Sequence, residues 1–182
     1  YVFGRYDIIH FNFGSSLFGS HINYRLSWPF WKKAARVIFN SYQDIMQILE
    51  LKILHWRGIP CFVHYQGDDA RQGDYCLKNF PISIASQVGK EYYNLDSDRY
   101  KVKKIRRFSK YCSKAYALNP DLLHVLSAGT EFLPYSHISI DDWKPFFTQS
   151  ENRPLRIGHA PSHRGVKGTD YLLRALDKLK AD

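Results

Sequence analysis

The sequence has no apolar run long enough to cross a lipid bilayer. Its longest runs, such as the one around Ile59 to Val63, fall far short of the roughly 20 residues that a spanning helix needs. No basic and then apolar leader is visible at its start. Low-complexity stretches and internal repeats are missing too, and 45% of the residues are hydrophobic against 24% charged, which excludes an intrinsically disordered chain. The composition therefore predicts a folded protein.

Cysteine is scarce, and so are sequence motifs that define a reaction. Cys61, Cys76 and Cys112 are odd in number, widely spaced and outside any C-x-x-C pair. Reduced thiols in a cytoplasmic protein are therefore expected rather than a disulfide framework or a zinc site. The sequence contains neither a Walker loop nor a G-x-G-x-x-G motif. Ser15 and Ser16 follow a glycine but lack the G-x-S-x-G elbow of a hydrolase nucleophile. No single motif therefore names the chemistry.

Positive charge is plentiful, with 26 Lys and Arg against 17 Asp and Glu and a net charge of +9. Such a balance favours an anionic partner, whether nucleotide, phosphate, nucleic acid or acidic membrane. Eight of the basic residues lie between Arg99 and Lys114, where Val102, Ile105 and Phe108 recur near helical spacing. A solvated helix face is favoured there, with contact to an anionic membrane or to nucleic acid as the alternatives. Nucleic acid is not expected as a partner, because the tyrosines are scattered rather than grouped for base stacking.

Short apolar runs alternate with longer helical patterns along the chain. This alternation predicts an α/β fold, with a Rossmann-like parallel sheet and helices on both faces. The predicted strands are 7–13, 61–65, 114–118, 131–134 and 155–160, and the predicted helices are 44–55, 99–112, 121–126 and 169–180. The helix over 121–126 is supported by Asn119 and Pro120, a frequent start signal. A polar loop is expected over 66–75.

The prolines, mixed charges and weak periodicity of residues 135–154 are typical of a connector. One strand and one helix follow it, too few to cover a parallel sheet on both faces. The last strand-helix unit therefore either docks onto the first sheet or begins a second Rossmann-like domain. We favour a partial first domain over 1–148, and a connector with the start of a second domain over 149–182.

The loop 161–168 combines positive charge with glycine before a predicted helix. Arg164 and Lys167 supply the cations, and Gly168 allows a close backbone approach. Thr169 is predicted to cap the helix. A basic loop at a helix N-terminus is an anion-binding arrangement. The alternative is a solvated turn whose basic residues face water.

A second polar loop follows the predicted strand 61–65. Parallel α/β sheets bind ligands beyond the carboxyl ends of their strands, which is where this loop is expected. His64 could donate a hydrogen bond to a substrate hydroxyl or phosphate there. Asp69 and Arg71 could contact the ligand or pair with each other to hold the loop, and both alternatives stay open.

A metal site is not expected. His159 and His163 are four residues apart, but they span a proline-containing loop without a third ligand nearby. Asp68 and Asp69 are adjacent on a loop, where neighbouring side chains point apart. A shared carboxylate site for metal or glycosidase chemistry is therefore not predicted.

The segment 156–170 resembles the opening of the donor domain in retaining glycosyltransferases with two Rossmann-like domains, the "glycosyl transferases group 1" type. In that family a basic pair in this loop holds the diphosphate of the nucleotide-sugar, usually without a divalent metal. Lys167 and Gly168 match the family's lysine-glycine pair closely. Arg164 lies three positions before the lysine, as in a subgroup with the pattern His-Ala-Pro-x-x-Arg-x-x-Lys-Gly. The commonest pattern has its arginine where this chain has Ser162.

Further segments are similar to the same subgroup and occur in the same order. Residues 6–14 resemble an early strand of the acceptor domain, and residues 64–71 resemble its His-x-x-Gly-x-Asp-x-Arg loop. Residues 119–123 and 132–134 resemble its Thr-Pro-Asp-Leu-Leu and leucine-proline landmarks. Together these segments cover most of the chain.

The resemblance implies a GT-B fold and the transfer of a sugar, with retention, from a nucleotide-sugar to a glycan or lipid-linked acceptor in bacterial cell-surface polysaccharide biosynthesis. The implied diphosphate-binding residues are Arg164, Lys167, Gly168 and Thr169. The implied acceptor-side loop residues are Gly14, Gly67, Asp69 and Arg71, with His64 and Asp69 as catalytic candidates. No cofactor or metal is expected beyond the nucleotide-sugar substrate. Peripheral contact with an anionic membrane at its inner face is compatible with this activity.

The resemblance also bears on the two ends of the chain. The glycine-rich loop that follows the family's first strand is expected before Tyr1, and its donor-domain glutamates are expected beyond Asp182. The 182-residue chain is therefore expected to have no turnover by itself. The alternative is a non-catalytic glycan- or nucleotide-binding module of the same fold.

Overall fold

The computed structural model describes residues 5–23, 25, 27–89, 91–134, 139–144 and 156–181. The chain divides into two compact units, Tyr1–Pro134 and Tyr135–Asp182. The domain boundary predicted near residue 148 lies outside the described residues.

The first unit contains a four-stranded sheet in the order β1-β2-β3-β4, and every neighbouring pair is parallel. The strands are β1 (Ile9–Asn12), β2 (Cys61–Tyr65), β3 (Lys114–Ala117) and β4 (Glu131–Phe132). Each coincides with a predicted strand, although β1, β3 and β4 are shorter than expected. The predicted α/β class with a parallel sheet, consistent with a Rossmann-like fold, is confirmed.

The helices of this unit connect the strands. They are α1 (Phe30–Trp56), α2 (Gly73–Asn79) and α3 (Leu95–Tyr111), with short 3-10 turns at Ile84–Ser86 and Pro120–His124. The prediction placed the start of α1 at residue 44, whereas the helix begins directly after Pro29. The start of α3 was also predicted too late, because a capping box between Asn94 and Ser97 begins the helix. The helix predicted over 121–126 is a 3-10 turn instead.

Helices α1 and α3 pack on the same face of the sheet. The core contains Leu51 and Leu54 from α1 and Phe108 from α3, together with strand residues such as Phe11 and Val63. The sheet runs in one direction without reversal, and right-handed crossovers then place every connecting helix on one side. Helices were expected on both faces of the sheet. In the part of this unit that the structure describes, they cover one face.

The opposite face carries a row of rings. His10 stacks on His64 with ring centroids 6.0 Å apart, and His64 lies 6.0 Å from Tyr116. Phe62 stacks on Tyr116 at 6.5 Å. This arrangement follows from the period of two along each strand and from the parallel register that aligns them.

The second unit contains α4 (Thr169–Ala181), close to the predicted 169–180. The strand predicted over 155–160 is wrong for residues 156–160, which have no strand conformation. A parallel strand needs a neighbour to accept its hydrogen bonds. The described residues of this unit, 139–144 and 156–181, contain no strand that could serve as one.

Candidate functional site

The loops that follow the first three strands meet at the carboxyl edge of the sheet. Phe13 N donates to His64 O at 3.0 Å, and Leu118 N donates to Tyr65 O at 2.8 Å. These bonds extend the strand pairing by one residue, so the loops after these strands start beside one another at the same edge of the sheet. Parallel α/β sheets bind their ligands at this edge.

The loop after β1 turns sharply at Phe13 and Gly14. Both residues have positive φ values, 61° and 54°. A Cβ atom on Gly14 would lie 3.0 Å from Tyr65 Cε1 and 3.4 Å from Lys104 Cε, so both the conformation and the space require glycine. The structure thus places the predicted loop residue Gly14 at the carboxyl edge, beside a phenylalanine in a costly left-handed conformation.

Asp69 shapes the loop after β2. Its carboxylate accepts hydrogen bonds from Gln66 N at 3.0 Å and from Gly67 N at 2.6 Å. The structure shows no ion pair between Asp69 and Arg71, one of the two predicted arrangements. Asp69 holds the loop through backbone N–H groups, and Gly67 belongs to the same turn.

Arg71 joins the loop after β2 to the turn after β3. Its Nε atom lies 2.8 Å from Asp121 Oδ2 and its Nη1 atom 3.1 Å from Asp68 Oδ1. The side chain is only 12% exposed. Burial by itself would lower the pKa of Arg71, but the hydrogen bond and charge of Asp121 outweigh it, so the net pKa is raised and the guanidinium stays charged. Asp121 was not among the predicted site residues, although it lies in the first turn of the 3-10 helix that begins at Pro120.

Asp68 is held by two tyrosines that the sequence did not single out. The hydroxyl groups of Tyr92 and Tyr93 both donate to its carboxylate. Although burial raises the pKa of Asp68, these two bonds and the charges of Arg71 and Lys101 lower it on balance. The bond to Asp68 in turn raises the pKa of Tyr92 to about 12. Asp68 is therefore an anion at neutral pH, and the positive charge of Arg71 balances it.

Two lysines of α3 reach the same edge. Lys101 Nζ donates to Arg71 O at 2.7 Å, and Lys104 Nζ donates to Phe13 O at 3.0 Å. Both side chains are buried, and burial lowers the pKa of each. The prediction that the basic segment 99–114 forms a solvated face is wrong for these residues, because the ends of their long side chains satisfy backbone carbonyl groups of distant loops.

The buried Lys104 makes a prediction about pH. Its pKa is lowered from 10.5 to about 8, so between these values the unfolded chain binds more protons than the folded chain, and stability rises with pH. Relative to a Lys104→Met variant, the parent protein is expected to gain stability as the pH rises from about 8 towards 10.5. Urea denaturation at several pH values measures this difference. Lys103→Met, at an exposed position of the same helix, is the control, and a stability difference for Lys104→Met that is constant over this range would contradict the prediction.

His64, the other catalytic candidate, lies in β2 and is only 3% exposed. Burial lowers its pKa, so the ring is neutral at neutral pH. Its ring belongs to the row on the second sheet face, whereas Asp69 lies in the loop beyond the strand end. The negative charge of Asp69 raises the pKa of His64, but burial has the larger and opposite effect.

The loop 161–168 of the second unit forms a compact basic turn. Lys167 N donates to His163 O and Thr169 N donates to Arg164 O, both at 3.0 Å. Gly168 has a φ of 67°, which favours glycine. The side chains of Arg164 and Lys167 are exposed. Arg164 lies 3.8 Å from Asp170, and Lys167 has no ion pair among the described residues.

Thr169 is buried and begins α4, whereas it was predicted as the cap before the helix. Its hydroxyl lies 2.9 Å from Nε2 of His159. The other histidine of the loop, His163, accepts from Val166 N through Nδ1 at 3.2 Å. Among the predicted diphosphate residues, Arg164 and Lys167 are therefore the ones that offer exposed side-chain donors.

The fold defines an α/β protein with a Rossmann-like parallel sheet, and its polar loops define a candidate ligand-binding edge. Comparison with family models, with curated proteins and with solved structures finds no match to this chain. Among the described residues, no helix combines the length and apolar character needed to cross a membrane. The same residues contain no group of three or more His, Cys, Asp or Glu placed to hold a metal ion.

Proposed function

We propose that this chain is part of a glycosyltransferase with two Rossmann-like domains, which moves a sugar with retention from a nucleotide-sugar to a glycan or lipid-linked acceptor. The observation that carries this proposal is the basic turn before α4. There Gly168, with a φ of 67°, directly precedes the 13-residue helix, and Arg164 and Lys167 are exposed beside it. Cations at a helix N-terminus suit a diphosphate.

The chemistry of sugar transfer gives these cations a role. When the bond between the sugar and the diphosphate breaks, negative charge accumulates on the departing phosphate oxygens. Lys167 and Arg164 stabilise that charge, and stabilisation of this kind lowers the barrier directly. The two side chains supply the positive charge that a divalent metal supplies in other enzymes.

The carboxyl edge of the first unit suits the acceptor. Gly14 keeps the loop after β1 close to the sheet, and Arg71 fixes the loop after β2 to the turn after β3. A rigid, polar edge of this kind orients a hydroxyl-rich ligand without a large rearrangement. Asp69 acts here by fixing the turn of this loop through the N–H groups of Gln66 and Gly67.

The proposal is tested by calorimetric titration of the chain with UDP, GDP and their sugar conjugates. Lys167→Ala is expected to weaken binding of the accepted nucleotide about tenfold or more, since a hydrogen bond to a charged group is lost. Lys178→Ala, at an exposed position of the same helix, is the matched control. Equal affinity of the parent chain and Lys167→Ala for every nucleotide would contradict the diphosphate site.

The second candidate is a non-catalytic glycan- or nucleotide-binding module. It is favoured by the positions of the two catalytic candidates: Asp69 is engaged by backbone N–H groups, and His64 is buried within the sheet. An assay of the protein isolated from its natural source, with nucleotide-sugars and glycan acceptors, distinguishes the two candidates: binding of the nucleotide-sugar without its consumption would support this module. Consumption of the donor would support the enzyme.

A further inference from the structure

Helix α1 turns a polar face towards the protein. Four of its buried residues are polar: Asn40, Gln43, Gln47 and Glu50. The Asn40 amide accepts from Ile22 N at 2.9 Å and donates to Ile22 O at 3.1 Å, and the Glu50 carboxylate accepts from Leu17 N at 3.1 Å. Asn40, Gln43 and Glu50 thus satisfy backbone groups of residues 17–22, and Gln47 accepts from Arg107, which explains why these side chains face inwards.

The opposite face of α1 is apolar and exposed. Six residues form this face, which we call the α1 stripe, and each is between 45% and 81% exposed: Trp31, Ile38, Tyr42, Ile45, Leu49 and Trp56. At 3.6 residues per turn they lie within an arc of about 60°, along a line about 38 Å long. A contiguous apolar surface of this extent marks an interaction site rather than a solvated helix face.

The charges beside the stripe have one sign. Lys32 and Lys52 are exposed on α1. The helix has two carboxylates, and both are engaged elsewhere: Asp44 lies 2.8 Å from Arg107 Nη1, and Glu50 is buried. At the boundary of an anionic lipid bilayer, anionic headgroups lie above an apolar layer of acyl chains. An apolar strip flanked by cations is complementary to such a boundary.

We propose that α1 lies flat in the interface of an anionic membrane, with the α1 stripe inserted among the acyl chains and Lys32 and Lys52 at the lipid headgroups. Trp31 and Trp56 occupy the two ends of the stripe, and tryptophan is enriched at the boundary between water and lipid. The long side chain of Lys52 can extend to the headgroups from beside the stripe. This docking does not depend on sugar transfer.

A second copy of the chain is a less suitable occupant. Paired α1 helices would bring the same cations together, without an exposed carboxylate on either helix to neutralise them. Like charges at such a contact are unfavourable. The basic segment 99–114 is also less suitable for lipid, because Lys101 and Lys104 are buried and Arg107 pairs with Asp44.

Vesicle flotation tests the proposal. The full 182-residue chain is expected to float with vesicles of phosphatidylcholine and phosphatidylglycerol, and much less with phosphatidylcholine alone. The double variant Ile38→Gln/Ile45→Gln is expected to raise the lipid concentration for half-maximal binding about tenfold. Leu77→Gln/Ile82→Gln is the matched control, since it removes exposed apolar side chains outside α1. Circular dichroism checks that each variant keeps its fold.

A second pair of variants separates α1 from α3. Lys32→Gln/Lys52→Gln is expected to weaken binding to the anionic vesicles, whereas Lys103→Gln/Lys110→Gln, at exposed positions of α3, is expected to have a smaller effect. The proposal would be overturned if the parent chain did not bind the anionic vesicles. It would also be overturned if the two control variants lost as much vesicle binding as the two α1 variants. A lipid-free dimer that Ile38→Gln/Ile45→Gln converts to a monomer in sedimentation velocity would overturn it too, because the stripe would then be an interface between copies.

Discussion

Replacement of Leu51 by Ala is expected to lower the free energy of unfolding by about 2–5 kcal/mol, whereas Leu49→Ala is expected to change it by less than about 0.5 kcal/mol. The two leucines lie two residues apart in α1. Leu51 is fully buried in the core and Leu49 is 45% exposed on the α1 stripe. The first substitution leaves a cavity beneath the sheet, while the second removes atoms that already contact water.

Urea denaturation of the parent and the two variants measures the contrast. Because chemistry and helix propensity are the same at both positions, the difference reports burial alone. A similar loss for both variants would mean that Leu49 is covered in solution. Combined with sedimentation velocity, that outcome would show whether a second copy of the chain covers it.

Arg71→Met is expected to destabilise the protein by about 1.5–3 kcal/mol, the range for hydrogen bonds that involve charged groups. The substitution keeps most of the apolar stem but removes the guanidinium from Asp68 and Asp121, which lie 3.1 and 2.8 Å away. Arg99→Met is the matched control, because Arg99 is exposed and its pairing distance to Asp96 is 4.0 Å. Exposed pairs contribute about 1 kcal/mol or less.

The effect of Arg71→Met is also expected to depend on pH. The pKa of Asp68 is lowered below 3.8, so its contribution to stability is complete above that value and is lost as the pH falls through the lowered pKa. The difference between the parent and Arg71→Met should therefore decrease in strong acid. Denaturation midpoints at neutral and acidic pH measure it, and a difference that grows in acid would contradict the assigned pair.

Much of the fold was predictable because its signals are local. The run 61–65 is apolar, is bounded by a proline and a polar loop, and forms β2 over the predicted residues. The leucines of 169–180 recur at helical spacing, and α4 forms there. The predicted strand over 155–160 failed because a strand depends on a partner, and local composition does not supply one.

The candidate site was predictable only in part. The loop with Gly67, Asp69 and Arg71 was expected beyond the carboxyl end of a strand and lies there after β2, because parallel sheets place such loops at one edge. Gly14 was named only through the family resemblance. The partners of the loop after β2 were not predicted: Tyr92 and Tyr93 bind Asp68 from more than twenty residues away along the chain. A contact between residues so far apart leaves no periodic pattern in the sequence.

The sequence by itself determined the α/β class and the positions of the parallel strands, since hydrophobic runs and turn residues act over a few neighbouring positions. Only the tertiary structure decided which face of α1 is buried. The buried face of α1 contributes Leu51 and Leu54 to the core and also carries Asn40 and Glu50, which bind the backbone of residues 17–22, whereas the opposite face consists of the α1 stripe. The apolar face is consequently left outside, because buried backbone groups must find hydrogen-bond partners.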